Sequence, residues 1–286
     1  MKRFAPLVVL LFAITSITTA ASAPESFLIG GDRPVVVNLP DQISNPAPLV
    51  IMLHSASTSG AHQERYMRLA PVAKRLGFIY IAPDGTVGED GRRVWNATAS
   101  CCQKSGEPVD DIAYIDSLIN EIDAKYPVDR SRIYFIGHSN GAFLSIAYAC
   151  KTGEAAAVVS LAGAMDVQSD CASSKPFALL QIHGDADAVV KFDGGKMNKN
   201  PYTSAFQTIR RVAGINKCSM DKGTPQFVKR IDFEPTIAGY ETLSQQFPDC
   251  QAPVVLWRIK GGSHSPKLPA DYAERLMIFF NQTQLE

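Results

Sequence analysis

Along this chain, short and almost wholly apolar runs alternate with longer stretches in which apolar residues recur every three or four positions. The short runs are residues 49–53 (LVIML), 78–82 (FIYIA), 133–136, 157–161, 177–182 and 254–259. Runs of this length, closed by polar or glycine-containing loops, suit strands buried on both sides of a sheet. The longer stretches predict helices. Residues 63–76 carry Met67, Leu69, Val72, Ala73 and Leu76 and read as one amphipathic helix. Residues 109–124 repeat Ile112, Ile115, Ile119 and Ile122 at helical spacing, and residues 142–149 and 270–280 are also helix-like. Residues 34–39 (PVVVNL) alternate weakly, as an early antiparallel strand does. The alternation of strand and helix predicts an α/β fold with a mostly parallel central sheet and helices on both faces. Residues 196–251 lack a clean period; a helix near 202–212 followed by irregular structure is expected there.

Composition adds a destination. Lys2 and Arg3 precede an apolar run at residues 7–14 and the small-residue stretch TTAASA ending at Ala23, the pattern of a signal peptide. That run is shorter than the ~20 apolar residues needed to span a bilayer. Residues 1–23 are therefore expected to be removed, leaving residues 24–286 as a single catalytic domain, secreted or periplasmic, with no membrane attachment. With 28 basic and 28 acidic residues and no basic cluster, a nucleic-acid partner is not expected.

An oxidising compartment permits disulfides among Cys101, Cys102, Cys150, Cys171, Cys218 and Cys250. Neighbouring residues lie about 3.8 Å apart in a trans chain, below the usual disulfide minimum of about 4.4 Å, so Cys101 and Cys102 are expected to have separate partners. Cys218 and Cys250 bracket the second half of the unassigned segment, where a bridge would hold it at its base. No CxxC or HExxH is present and the histidines are scattered, so neither metal nor cofactor is expected.

The sharpest chemical signal is GHSNG at residues 137–141, set between a strand-like and a helix-like run. Such a turn lifts a serine above the sheet at a helix N-terminus, making Ser139 a candidate nucleophile. A serine hydroxyl needs a base, and the base an orienting acid. His183 and His264 are the histidines that follow Ser139. His264, in KGGSHSPK just past the run at 254–259, is the candidate base, while His183 is expected to shape its own turn. LLQIHGDADAVV offers Asp185 and Asp187 as acids, with Asp187 better placed to reach a histidine and Asp185 left open. Either aspartate taken alone could simply cap a turn. The oxyanion donors expected are the N–H of Asn140 and one from MLHSASTSG, at Ser55 or Ala56. His54 is read as a support for that loop, and His138 and His62 as surface or local packing residues.

With these residues in place, the chain resembles the secreted esterase family of feruloyl esterases, acetylxylan esterases and polyhydroxybutyrate depolymerases. The resemblance rests on VIMLH, GRRVWNATASCC, VDDIAYIDSLI, YPVDRSRIYFIGHSNGAFLSIAYAC, IHGDADAVVKFDGG and IKGGSH, in that order. It implies an α/β-hydrolase with Ser139 as nucleophile, Asp187 as acid and His264 as base, and a Cys218–Cys250 bridge. With that bridge made, Cys101 and Cys102 would share Cys150 and Cys171. The chain departs from the family at His54-Ser55, where His-Gly is usual, and at Ser265-Pro266, where a tryptophan and a proline follow the histidine. The function expected is that of a secreted serine carboxylic-ester hydrolase. Its substrates, small or polymeric, would be feruloyl or acetyl polysaccharide esters or poly(3-hydroxybutyrate)-type polyesters. A peptidase on the same scaffold and a non-catalytic secreted binding protein are the alternatives.

Overall fold

The computed structural model describes residues 26–88, 90–102, 109–169, 171, 175–197, 199–221 and 223–285; the leader expected at residues 1–23 lies outside them. An antiparallel pair, β1 (Phe27–Ile29) and β2 (Val35–Val37), precedes β3 (Ala47–Leu53), helices α1 (Gly60–Met67) and α2 (Ala70–Arg75), and β4 (Ile79–Ile81). A short ribbon of β5 (Thr86–Val87) and β6 (Arg93–Val94) leads to α3 (Asp111–Asp123), β7 (Val128–His138), α4 (Asn140–Thr152), β8 (Ala157–Leu161) and β9 (Ala178–Gly184). A second ribbon, β10 (Gly195–Met197) and β11 (Asn200–Tyr202), is followed by α5 (Ala205–Ile215), β12 (Gln226–Ile231), β13 (Thr242–Gln246), β14 (Val254–Ile259) and α6 (Tyr272–Asn281).

Eight strands form one sheet in the order β12-β13-β14-β9-β8-β7-β3-β4. From β14 to β4 all neighbours are parallel, and β13 and β12 continue the sheet antiparallel beyond β14. The apolar runs have no polar face because both faces are covered. In β3, Leu49, Ile51 and Leu53 belong to one buried cluster with Ile119 of α3, Phe143 of α4 and Ile209 of α5. Val50 and Met52 belong to the opposite cluster, with Met67, Ala73 and Leu276 from α1, α2 and α6.

Three expectations are corrected. The helix expected over residues 63–76 is two helices. Pro71 has no N–H and its ring would clash with a helical carbonyl four residues back. The chain turns instead at Arg68 (φ 55°), and the Glu64 carboxylate accepts the N–H groups of Leu69 and Ala70 at the start of α2. The segment after α5 is not irregular throughout, since it holds β12 and β13. Five of the six residues of β12 are exposed, so this edge strand carries no apolar alternation to read. The third correction concerns the cysteines, which pair Cys101–Cys102, Cys150–Cys171 and Cys218–Cys250. The case against joining adjacent cysteines assumed a trans peptide; here the bond between them is cis and the Cα atoms are 3.2 Å apart. Cys150 and Cys171 are committed to each other.

One buried side chain sets the strands that carry the site. Asn216, at the C-terminal end of α5, accepts the Phe177 N–H at 3.2 Å and donates to the Phe177 and Ala252 carbonyls at 2.8 Å each. It thereby ties the entry of β9 to the entry of β14. Asn216→Ala strands these buried backbone groups at ~1–3 kcal/mol apiece, so a total loss near 3 kcal/mol is expected in urea unfolding. A loss below ~1 kcal/mol would mean that the tie is dispensable.

Candidate active site

The turn from β7 into α4 is fixed by close backbone approach. A Cβ on Gly137 would lie 2.3 Å from the Gly141 carbonyl oxygen, and one on Gly141 would lie 2.1 Å from that of Leu53. Only glycine fits at either place. Between them Ser139 adopts φ 53° and ψ −119°, a conformation non-glycine residues avoid unless their surroundings impose it. Its N–H donates to the Leu161 carbonyl at 2.9 Å and its own carbonyl accepts from Ala142 and Phe143. Ser139 therefore stands at the N-terminus of α4, where N–H groups lack helical acceptors. The next residue, Asn140, is fully buried, and its side chain exchanges two hydrogen bonds with the backbone of Trp95 at 2.7 and 3.0 Å.

Two further loops leave the same edge of the sheet. After β9, Asp187 Oδ2 accepts from His264 Nδ1 at 2.8 Å, while Oδ1 accepts the N–H groups of Val189 and Val190. His183 Nε2 lies 2.8 Å from the Val190 carbonyl and 3.3 Å from Asp187 Oδ2, so it supports the loop that carries Asp187. Burial works to raise the Asp187 pKa, but hydrogen bonds from His183, His264 and Val189 outweigh it and hold the carboxyl well below the usual range. Asp185 is engaged elsewhere, with Arg258 at 2.9 Å and the Gly261 N–H at 2.6 Å. The structure thus brings Asp187, not Asp185, to His264. The loop that carries His264 reaches the Ser139 turn, where His138 Nε2 donates to the His264 carbonyl at 3.0 Å.

The loop after β3 completes the arrangement. His54 Nε2 accepts the Gly85 N–H at 2.9 Å, which puts the imidazole proton on Nδ1, where it donates to the Ser55 carbonyl. Trp95, fully buried, donates its indole N–H to the His54 carbonyl at 3.1 Å. Ser55 donates its backbone N–H to Gln63 Oε1, and Ser57 donates to the Arg93 carbonyl; neither bond involves Ala56.

Comparison with known proteins fits this geometry. Residues 38–218, more than half of the chain, match the model of the phospholipase/carboxylesterase family. The chain belongs to that family. Proteins similar to it include feruloyl esterase B of Piromyces equi, 30% identical over 200 residues, which cover 65% of this chain but 36% of that protein. The chain thus spans about a third of that relative's length. A probable feruloyl esterase C of Aspergillus flavus is 27% identical over 248 residues, covering 83% of this chain and 78% of that one. Among solved structures, acetyl xylan esterase from Aspergillus awamori superposes with a TM-score of 0.63 at 16% identity, covering 90% of this chain and 99% of the other, which establishes the α/β-hydrolase fold.

In this carboxylesterase-family chain the sequence reading missed Gln63. Its signal was a polar residue on the face of α1 that also buries Met67. It also read Asn140 only for its backbone, and His138 only as a surface or packing residue. Burial lowers the pKa of both His54 and His138 to about 4, the latter helped by the neighbouring His264. Each is neutral when folded and protonated when unfolded between pH 6.5 and 4, so stability rises with pH through that window. Acidification is expected to cost up to ~3 kcal/mol per histidine, with Asp187 adding a further loss below its unfolded pKa. Thermal melts should show a Tm that is level above pH 6.5 and falls toward pH 4, with a shallower fall in His54→Gln. A Tm flat across the window would contradict the neutral burial of both rings.

Proposed function

We propose that the protein is a serine carboxylic-ester hydrolase in which Ser139 attacks the ester carbonyl, His264 moves the proton and Asp187 orients His264. The observation that carries this reading is the 2.8 Å contact of His264 Nδ1 with Asp187, on a loop held against the residue preceding Ser139. A carboxylate only accepts, so Nδ1 of His264 carries the proton and Nε2 is left with a lone pair for the serine hydroxyl. As the tetrahedral intermediate forms, the N–H groups of Asn140 and Ala56 stabilise its oxyanion. Ser55 is the poorer donor because its N–H already serves Gln63. The intermediate collapses by breaking the ester C–O bond, and His264 gives its proton to the departing alcohol. Water then hydrolyses the acyl-enzyme, with His264 acting as base and returning the proton to Ser139.

Feruloyl and acetyl esters of plant polysaccharide are the substrates that the similar proteins' names support. Poly(3-hydroxybutyrate)-type polyesters are the second class, on the sequence motifs. The protein acts outside the cytoplasm after losing its leader, a setting in which its three disulfides persist.

Ser139→Ala should abolish p-nitrophenyl acetate hydrolysis and fluorophosphonate labelling without lowering Tm. Asp187→Asn should cut kcat by about 10⁴, and Asp185→Asn far less. Full activity in Ser139→Ala, or hydrolysis of peptides in preference to methyl ferulate, acetylated xylan and 3-hydroxybutyrate oligomers, would end the reading.

A further inference from the structure

We propose that Gln63 and His138 are positioning residues, forming a buried relay that locks the loop of the candidate oxyanion donor to the loop of the candidate base. The inference rests on the serine-hydrolase reading and adds to it two side chains that act through Ser55 and His264.

The relay has three links and its direction is determined at one end. The Ser55 N–H can only donate, and it does so to Gln63 Oε1 at 3.2 Å, which fixes the orientation of the Gln63 amide. Gln63 Nε2 is then a donor, and its partner at 3.3 Å, His138 Nδ1, must accept. A neutral imidazole has one N–H, so His138 Nε2 carries it and donates to the His264 carbonyl at 3.0 Å. Every polar atom along the path is matched, and reversing any one link would oppose two donors or two acceptors.

Both side chains are nearly inaccessible, at 2% for Gln63 and 4% for His138. A polar side chain buried this deeply costs free energy unless its hydrogen bonds are made, so an apolar residue would serve packing better. What the polar pair adds is a connection. Gln63 lies on α1, which has no part in the proposed chemistry, yet α1 also sends the Tyr66 hydroxyl to the Pro266 carbonyl at 2.6 Å. The carbonyls of His264 and Pro266 are thus held from α1 and the β7 end, while Asp187 holds the His264 ring. The His138 and His264 rings also pack against each other, tilted by 35° with centroids 5.2 Å apart, which limits how far the base can swing. The lowered pKa of His138 keeps its Nδ1 free to accept.

Two measurements test this. In imidazole ¹⁵N NMR of the unmodified protein at neutral pH, His138 is expected as the Nε2–H tautomer; an Nδ1–H tautomer would overturn the relay. In kinetics, Gln63→Met keeps the volume but breaks both links. It should lower kcat on p-nitrophenyl acetate and the rate of fluorophosphonate labelling by about ten- to a hundredfold, with little change in KM. His138→Gln, which restores an N–H donor toward His264, should recover activity relative to His138→Phe. Unmodified protein that labels normally, with Gln63→Met labelling equally fast, overturns the relay alone. Unmodified protein that neither labels nor hydrolyses esters removes the serine reading and the relay with it.

Discussion

The site depends on backbone meeting backbone with no room between. Where α4 begins, the carbonyl of Leu53 occupies the space a Gly141 side chain would need, so the helix start is pressed directly onto the end of β3. The same holds across the sheet, where a Cβ on Gly184 would lie 2.1 Å from the Gly262 carbonyl oxygen, so the loops after β9 and β14 cross in contact. These two approaches bring four chain segments together in pairs, and the hydrogen bond from His138 to the His264 carbonyl joins one pair to the other. The hydrogen bond between Asp187 and His264 and the backbone bonds of Ser139 are made on that platform.

Around the platform the protein buries polar groups instead of excluding them. His54, His138, His183, Gln63 and Asn140 are all nearly inaccessible, and each is hydrogen-bonded to a neighbour at least seven residues away in the chain. A low-dielectric interior makes each bond directional and each vacancy expensive. The outcome is a set of loops that hold one arrangement, which matters for a turn that keeps Ser139 in a costly conformation.

Much of this was legible in the sequence because the parallel strands are buried on both faces. LVIML and FIYIA allow few other readings, and GHSNG, HGDAD and GGSH fall at the ends of such runs. The helix break at Pro71 was readable from that residue alone, yet periodicity concealed it. β12 was not readable at all, since an exposed edge strand has no burial pattern. Choosing Asp187 over Asp185 from the chain alone turned on loop reach, and the structure adds that Arg258 engages Asp185. Gln63 and His138 escaped because their importance lies in a contact between residues 75 positions apart. The cis bond between Cys101 and Cys102 left no trace in residue identity.

The Cys218–Cys250 bridge closes the excursion that carries β12 and β13 into a ring hung on the outer side of β14. The chain leaves and returns there through one covalent point. The ring is nonetheless built into the sheet: β13 pairs with β14 from Val255 to Ile259, and Phe233 is fully buried against Trp257 and Tyr272. The covalent tie therefore sits at the root of a border whose inner strand, β13, is part of the packed sheet and whose outer strand, β12, faces water.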